Sequence, residues 1–115
     1  MSRSVAVIPG DGIGPEVIAS ALRVLAAAGA ELELIPADAG LACYQSSGEY
    51  IPSATLETVR SADAVLFGAI TSPLDVANYK SVILTLPQEL DAYANVRPAR
   101  DLAPPCKAPC PHLLL

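Results

Sequence analysis

Between Val5 and Val17 the chain reads Val-Ala-Val-Ile-Pro-Gly-Asp-Gly-Ile-Gly-Pro-Glu-Val. Gly10, Gly12 and Gly14 are three positions where the backbone can take a positive φ or come close to a ligand. Pro15 brings a φ already set for the first turn of a helix, and Glu16 puts an acid beside that helix's positive end. A glycine-punctuated loop running into a helix N-terminus favours an anion or a nucleotide. The spacing is not that of a Rossmann fingerprint, because Gly-x-Gly-x-x-Gly needs its third glycine where Pro15 stands. Asp38 imitates the ribose-binding acid without repairing that mismatch. Taken alone, the loop reads equally as a tight strand-to-helix connection with no ligand. Thr71 and Ser72, after a second apolar run, have an ordinary capping pair as their plain reading. Cys106, Cys110 and His112 carry metal-ligand atoms, but no fourth ligand adjoins them and Pro109 and Pro111 stiffen the loop, which argues against zinc. With three cysteines, an odd count, reduced thiols are the simplest account.

The elements that must position these residues follow from periodicity. Val5 to Ile8 is a short wholly aliphatic run, the pattern of a buried strand, and Pro9 predicts its end. Val17, Ile18, Ala21, Leu22, Leu25 and Ala28 recur at helical spacing up to a stop at Gly29. Glu31 to Ile35 alternates acid and aliphatic, as a strand with one wet face does. Ala39 to Tyr44 has room for a helical turn or two ended by Gly48, and Ser53 is an expected N-cap for a helix toward Ser61 with Leu56 and Val59 facing a sheet. Ala64 to Phe67 is a third strand, Lys80 to Asp91 a helix, and Ala92 to Val96 a short strand leading out to Arg97. Pro87 either kinks that last helix or starts a fresh one. Strand, helix and strand with short connections make a βαβ unit, so the fold class is α/β with a parallel sheet, and ligands belong at the carboxyl ends of its strands.

At 115 residues, 52% of them hydrophobic, the chain suits one domain with an aliphatic core. A net charge of −5 with scattered Arg and Lys argues against sequence-independent nucleic-acid binding or a membrane-surface role. No stretch reads as a signal peptide or a membrane span, so a cytoplasmic protein is expected. From Asp101 the text changes: residues 101–115 have no period, carry clustered prolines and end on three leucines, which predicts an irregular Pro/Cys-rich tail.

Three stretches carry a resemblance to the isocitrate/isopropylmalate dehydrogenase family. Ile8-Pro-Gly-Asp-Gly-Ile-Gly-Pro-Glu-Val17 resembles its opening, Phe67-Gly-Ala-Ile-Thr-Ser-Pro73 its nucleotide-side loop, and Leu90-Asp-Ala-Tyr-Ala-Asn-Val-Arg-Pro98 its Leu-Asp-Leu-Tyr-Ala-Asn-x-Arg-Pro segment. On these motifs the resemblance covers about residues 4 to 100. It implies a partial dehydrogenase domain over residues 1–100, with a glycine loop at 10–14, a nucleotide-side loop at 68–73 and a substrate-side segment at 80–98. It further implies oxidation of a 2-hydroxy acid by NAD or NADP and loss of its β-carboxylate with help from Mg²⁺ or Mn²⁺. The substrate would be a small dicarboxylic or tricarboxylic hydroxy acid of amino-acid biosynthesis, and family members are homo-oligomers.

Matched position by position, the resemblance puts Ile13 on the nicotinamide side of the cofactor and gives Thr71 a cofactor contact. Ser81 matches a substrate contact of isocitrate-type members, while Ile83 and Leu84 match the pocket for the branched side chain in isopropylmalate-type members. Arg97 matches a substrate arginine, with a surface ion pair as its plainer reading. Ile83 and Leu84 lean toward 3-isopropylmalate; Ser81 leans toward isocitrate or homoisocitrate. One departure is internal: Pro87 stands where the family pattern has an arginine. The family's Lys/Tyr pair and metal-binding aspartates belong to later segments, so catalytic residues and metal ligands are expected to be absent here. Two readings follow: an inactive N-terminal fragment of a decarboxylating dehydrogenase, or a stand-alone nucleotide-binding or interaction module without catalysis. Under the first, strands the family takes from its C-terminal part would be missing and sheet edges left open.

Overall fold

The computed structural model describes residues 2–72 and 81–98. The expected irregular tail at 101–115, with Cys106, Cys110 and His112, lies outside the described residues, as do Pro73 of the nucleotide-side loop and Lys80. The elements run β1 (Arg3–Gly10), α1 (Gly14–Ala27), β2 (Leu32–Pro36), α2 (Leu41–Ser47), α3 (Ser53–Ser61), β3 (Ala64–Ala69) and α4 (Val82–Glu89). The three strands form one parallel sheet in the order β2-β1-β3, so the expected α/β class and parallel sheet are both present.

The apolar run of β1 is buried because it is the central strand, covered on both faces. Val5 and Val7 pack with Ile18 of α1, whereas Ala6 and Ile8 pack with Val59 of α3 and with Val82 and Leu86 of α4. The crossover from β1 to β2 puts α1 on one face, and the crossover from β2 to β3 moves the other way along the sheet with α3 on the opposite face, as two connections of the same hand require. At the N-terminal edge, Asp63 receives the Ser4 N–H at 2.9 Å and the Arg3 guanidinium at 3.1 Å, which fixes where β3 begins against β1.

The strand runs one residue past the expected stop at Pro9. The Val7 carbonyl accepts the Ala37 N–H at 2.9 Å, on the side of β2. Residues two apart face the same neighbour, so Pro9 points toward β2 after that strand has ended at Pro36, and no ladder donor is missed. The buried stripe of α1 is narrower than its sequence suggests: Ile18 is buried and Ala21, Leu22 and Leu25 are half-buried, but Val17 and Ala28 are exposed. The helix lies over β1 and β3, which leaves Leu34 of β2 uncovered on that face. Gly29, at φ +73°, closes α1 as expected, with its N–H donating to the Ala26 carbonyl.

Three expectations are corrected. Ser53 is the first residue of α3 and not its N-cap; Pro52, extended at φ −61° and ψ 150°, already turns the chain into the helix. Pro87 does not open a new helix, since α4 runs from Val82 to Glu89 with the proline inside it. Ala92 to Val96 forms no strand: Tyr93 and Val96 are exposed, and none of the described strands offers this segment a ladder. No described helix is long and apolar enough to cross a membrane.

Candidate functional site

In a parallel sheet whose connections run both ways from the centre, the crevice opens where the direction reverses, at the carboxyl ends of β1 and β3. Asp11 occupies this place. Only 6% exposed, it lies between the end of β1 and the start of α1. Its Oδ2 accepts the Leu41 N–H at 3.0 Å and the Thr71 N–H at 2.9 Å, and its Oδ1 accepts the Ala42 N–H at 2.9 Å. Its main chain is committed as well: the Asp11 N–H donates to the Ala69 carbonyl at 2.6 Å, and its carbonyl accepts the Gly14 N–H at 2.8 Å. One residue thus joins the end of β3, the segment after it, the first turn of α2 and the first turn of α1. Burial pushes the carboxyl upward, but the amides of Ala42, Leu41 and Thr71 outweigh it and hold the group below its ordinary value. Leu41 and Ala42 open α2, so the carboxylate also sits where that helix presents unbonded N–H groups.

The glycines serve the same closure. A Cβ on Gly14 or on Gly68 would lie 2.1 Å from the Pro9 carbonyl oxygen, and one on Gly10 would lie 2.0 Å from that of Ala69. These residues are glycine because backbone meets backbone where β1, β3 and the start of α1 converge. Within the loop only Gly12, at φ +57°, has open space where a Cβ would stand. At the expected anion position of α1, the Gly14 N–H is used by the Asp11 carbonyl, Pro15 has none, and Glu16 adds a negative charge to the first turn. At α2 the N–H groups of Leu41 and Ala42 are taken by Asp11 itself.

The expected cofactor contacts come together here. Ile13 is the N-cap of α1 and 68% exposed, and Thr71, fastened by its N–H to Asp11, leaves its side chain at the surface. A cavity of about 360 Å³ at this end of the sheet is lined by Pro9, Gly10, Asp38, Ala42, Cys43 and Ser46, and neither Ile13 nor Thr71 is among its lining residues. Asp38 contributes its carbonyl to structure, accepting the Thr55 hydroxyl at 2.7 Å. The expected substrate residues lie on and after α4. Ser81 is the N-cap of α4 without a side-chain cap bond, and it is half-buried. Ile83 lines an apolar groove of about 290 Å³ with Val65, Phe67, Leu86, Pro87 and Leu90, while Leu84 is 66% exposed and stands outside that groove. Arg97 is exposed and its Nε donates to Asn95 Oδ1 at 3.3 Å. No described hydrogen bond or ion pair joins Ser81, Ile83, Leu84 or Arg97 to the Asp11 cluster. Among the described residues no group of three or more His, Cys, Asp or Glu side chains converges on a metal position. Asp11 is the residue that the sequence reading passed over; its signal is an acid between glycines at a strand-to-helix turn, a position where a carboxylate readily receives backbone N–H groups.

Comparison with known proteins identifies the family and the fold. The model of the family described as isocitrate/isopropylmalate dehydrogenase matches residues 4–113. That likeness runs on past residue 100, where the motif resemblance stops. An isocitrate/homoisocitrate dehydrogenase of Pyrococcus horikoshii is 50% identical over 93 residues, 81% of this chain and 27% of its own length. A 3-isopropylmalate dehydrogenase of Methanothermobacter thermautotrophicus is 45% identical over 109 residues, 94% of this chain and 32% of its own. The apo crystal structure of a β-decarboxylating dehydrogenase from Thermococcus kodakarensis superposes with a TM-score of 0.79 at 50% identity, over 87% of this chain and 30% of that one. Isocitrate dehydrogenase from Methylococcus capsulatus gives 0.80 at 39% identity, over 84% of this chain and 28% of that one. The chain spans about a third or less of the length of these relatives.

Proposed function

The chain belongs to the isocitrate/isopropylmalate dehydrogenase family, and from that premise we propose that it forms the cofactor-facing part of an NAD(P)-dependent oxidative decarboxylation of a 3-substituted malate. The observation that carries this reading is the juncture at Asp11, which holds the loops of Ile13 and Thr71 against one crevice. Bound there, NAD or NADP would accept the hydride from the substrate's C–H. Ile13 would offer an apolar surface to the nicotinamide side and Thr71 a hydroxyl to its edge. The N–H groups of Gly14, Leu41, Ala42 and Thr71 are spent on Asp11 and are not offered to the cofactor's phosphates. The described residues do not build a site for Mg²⁺ or Mn²⁺, and no step is assigned to a metal here.

On the substrate side, Ser81, Ile83, Leu84 and Arg97 are proposed as contacts. The aliphatic surfaces of Ile83 and Leu84, both more than half exposed, favour 3-isopropylmalate over isocitrate and homoisocitrate. Arg97, exposed and bonded only to a neighbouring amide among its described contacts, is available to a carboxylate. These 115 residues are proposed to be inactive by themselves, since Pro87 removes a carboxylate clamp that the family pattern supplies. The test is an assay of the purified chain with each of the three acids, NAD or NADP, and Mg²⁺ or Mn²⁺, alongside a titration of its ¹⁵N-labelled amides with NAD. We expect no NAD(P)H and a response at Ile13 and Thr71. Metal-dependent NAD(P)H formation that tracks the chain overturns the inactivity, and silent Ile13 and Thr71 amides overturn the cofactor reading.

A further inference from the structure

We propose that Asp11 is the positioning residue of the cofactor side: its carboxylate is a built-in anion that sets the segment of Thr71 and the start of α2 at fixed places about the glycine loop. The inference rests on the cofactor reading for its functional half and on geometry alone for its structural half. β3 ends at Ala69, so Thr71 lies beyond the sheet ladder, and the bond that places its backbone is the one to Asp11 Oδ2. The partners of the carboxylate are 30, 31 and 60 residues away in sequence, from two segments with no described hydrogen bond to each other. Gly40, which precedes α2, makes room for it: a Cβ there would stand 2.5 Å from Asp11 Oδ2. A carboxylate bonded to three amides in this way does what a bound phosphate does at other helix N-termini, and it keeps external anions out.

The two oxygens are not equivalent, and that makes the idea testable. Asparagine has one acceptor oxygen, and its amide group turns N–H donors toward the N–H donors of the chain. With its oxygen in the place of Oδ2, Asp11→Asn keeps the bonds to Leu41 and Thr71 and loses Ala42; flipped, it keeps only Ala42. The first orientation retains more bonds and is the one expected. Asp11→Ala loses all three.

The experiment is amide hydrogen exchange on the ¹⁵N-labelled chain and both variants, with the ladder amides of Ala6 and Ile8 in each sample as the internal measure of global stability. In Asp11→Asn, protection of Ala42 relative to that ladder should fall by about tenfold, the worth of one charge-assisted bond, while Thr71 stays within about threefold. In Asp11→Ala both should fall by about tenfold or more. The same samples are titrated with NAD, where Asp11→Ala should weaken the Ile13 and Thr71 response by about tenfold and Asp11→Asn by less. If protection falls in equal proportion at Ala42, Thr71, Ala6 and Ile8, Asp11 serves only global stability and the proposal is overturned. If NAD affinity is unchanged in the variants although wild type responds, its functional half is overturned. If wild-type amides ignore NAD, the cofactor reading fails and takes that half with it, and the selective exchange pattern still decides whether Asp11 places the two segments. Should Asp11→Ala not fold, Asp11→Asn alone carries the discrimination between Ala42 and Thr71.

Discussion

Replacing Pro87 by arginine should make this chain more stable. Pro87 is the sixth of the eight residues of α4, so its missing N–H leaves the Ile83 carbonyl without its helical donor. A proline in a helix interior is about 3 kcal/mol worse than alanine, and arginine ranks close to alanine. Two effects reduce the gain. Proline restricts the unfolded chain, which is worth about 0.4–1 kcal/mol in its favour, and Ile83 is half exposed, so water reaches that part of the helix. The proline ring also covers part of the groove beside β3, a contact that the aliphatic stem of arginine can replace. The net expectation is a stabilisation of about 1–3 kcal/mol. Urea unfolding of the two chains, compared at equal m, measures it. Pro87→Ala should give most of the same gain, which separates the restored backbone bond from the added charge. A stability unchanged or lowered in both variants would falsify the reading of Pro87 as a lesion in a continuous helix and would instead fit a chain rebuilt around it.

Gly14→Ala and Gly68→Ala each drive a Cβ to 2.1 Å from the same Pro9 oxygen, so each should destabilise by about 3 kcal/mol or more. Because one displacement of Pro9 relieves both, the double variant should lose clearly less than the sum in urea melts; strict additivity would contradict the shared clash. Gly12→Ala meets no neighbour and should cost only its left-handed backbone, about 1–2 kcal/mol. Asp11 and Asp63 both have lowered carboxyl pKa values, so the stability they give is present above the unfolded value of 3.8 and is lost as pH falls through their folded values. Acid unfolding followed by circular dichroism should therefore be shallower in Asp11→Asn, with a residual slope from Asp63, and an unaltered acid limb would count against the amide cluster.

Much of the fold was legible because periodicity reports burial directly. Val5 to Ile8 read as a strand covered on both faces, and the spacing from Val17 to Ala28 as a helix with one apolar side, although Val17 and Ala28 themselves proved exposed. Gly29 and Gly48 marked stops that the structure keeps, both with positive φ. Two misreadings needed a neighbour that one-dimensional pattern does not specify, whereas those at Ser53 and Pro87 were local errors of helix boundary. Pro9 was tolerable in a strand because β2 ended beside it, and Ala92 to Val96 had the residues of a strand but no partner. For the site, the glycines were legible and their purpose was not. Three small residues in a loop look the same whether they admit a phosphate or another stretch of backbone, and only the approach of Pro9 to Gly68 tells the two apart. Asp11 was hidden for a related reason, since its partners at Leu41, Ala42 and Thr71 lie far along the chain.

The place of β1 at the middle of the sheet bears on how the chain is made. Of the three described strands it is made first, yet Val5 pairs with Leu34 on one side and with Ala64 on the other. Parallel partners cannot be reached by a tight hairpin, so β1 must wait for each crossover to be synthesised. Until Ala69 has emerged, one edge of Val5-Ala-Val-Ile8 stays open, and its Ala6 and Ile8 face stays bare until Val59 and then Val82 and Leu86 arrive. Translation halted anywhere before Ala69 should thus release an aggregation-prone aliphatic strand bound by holdase chaperones, and never a smaller folded unit.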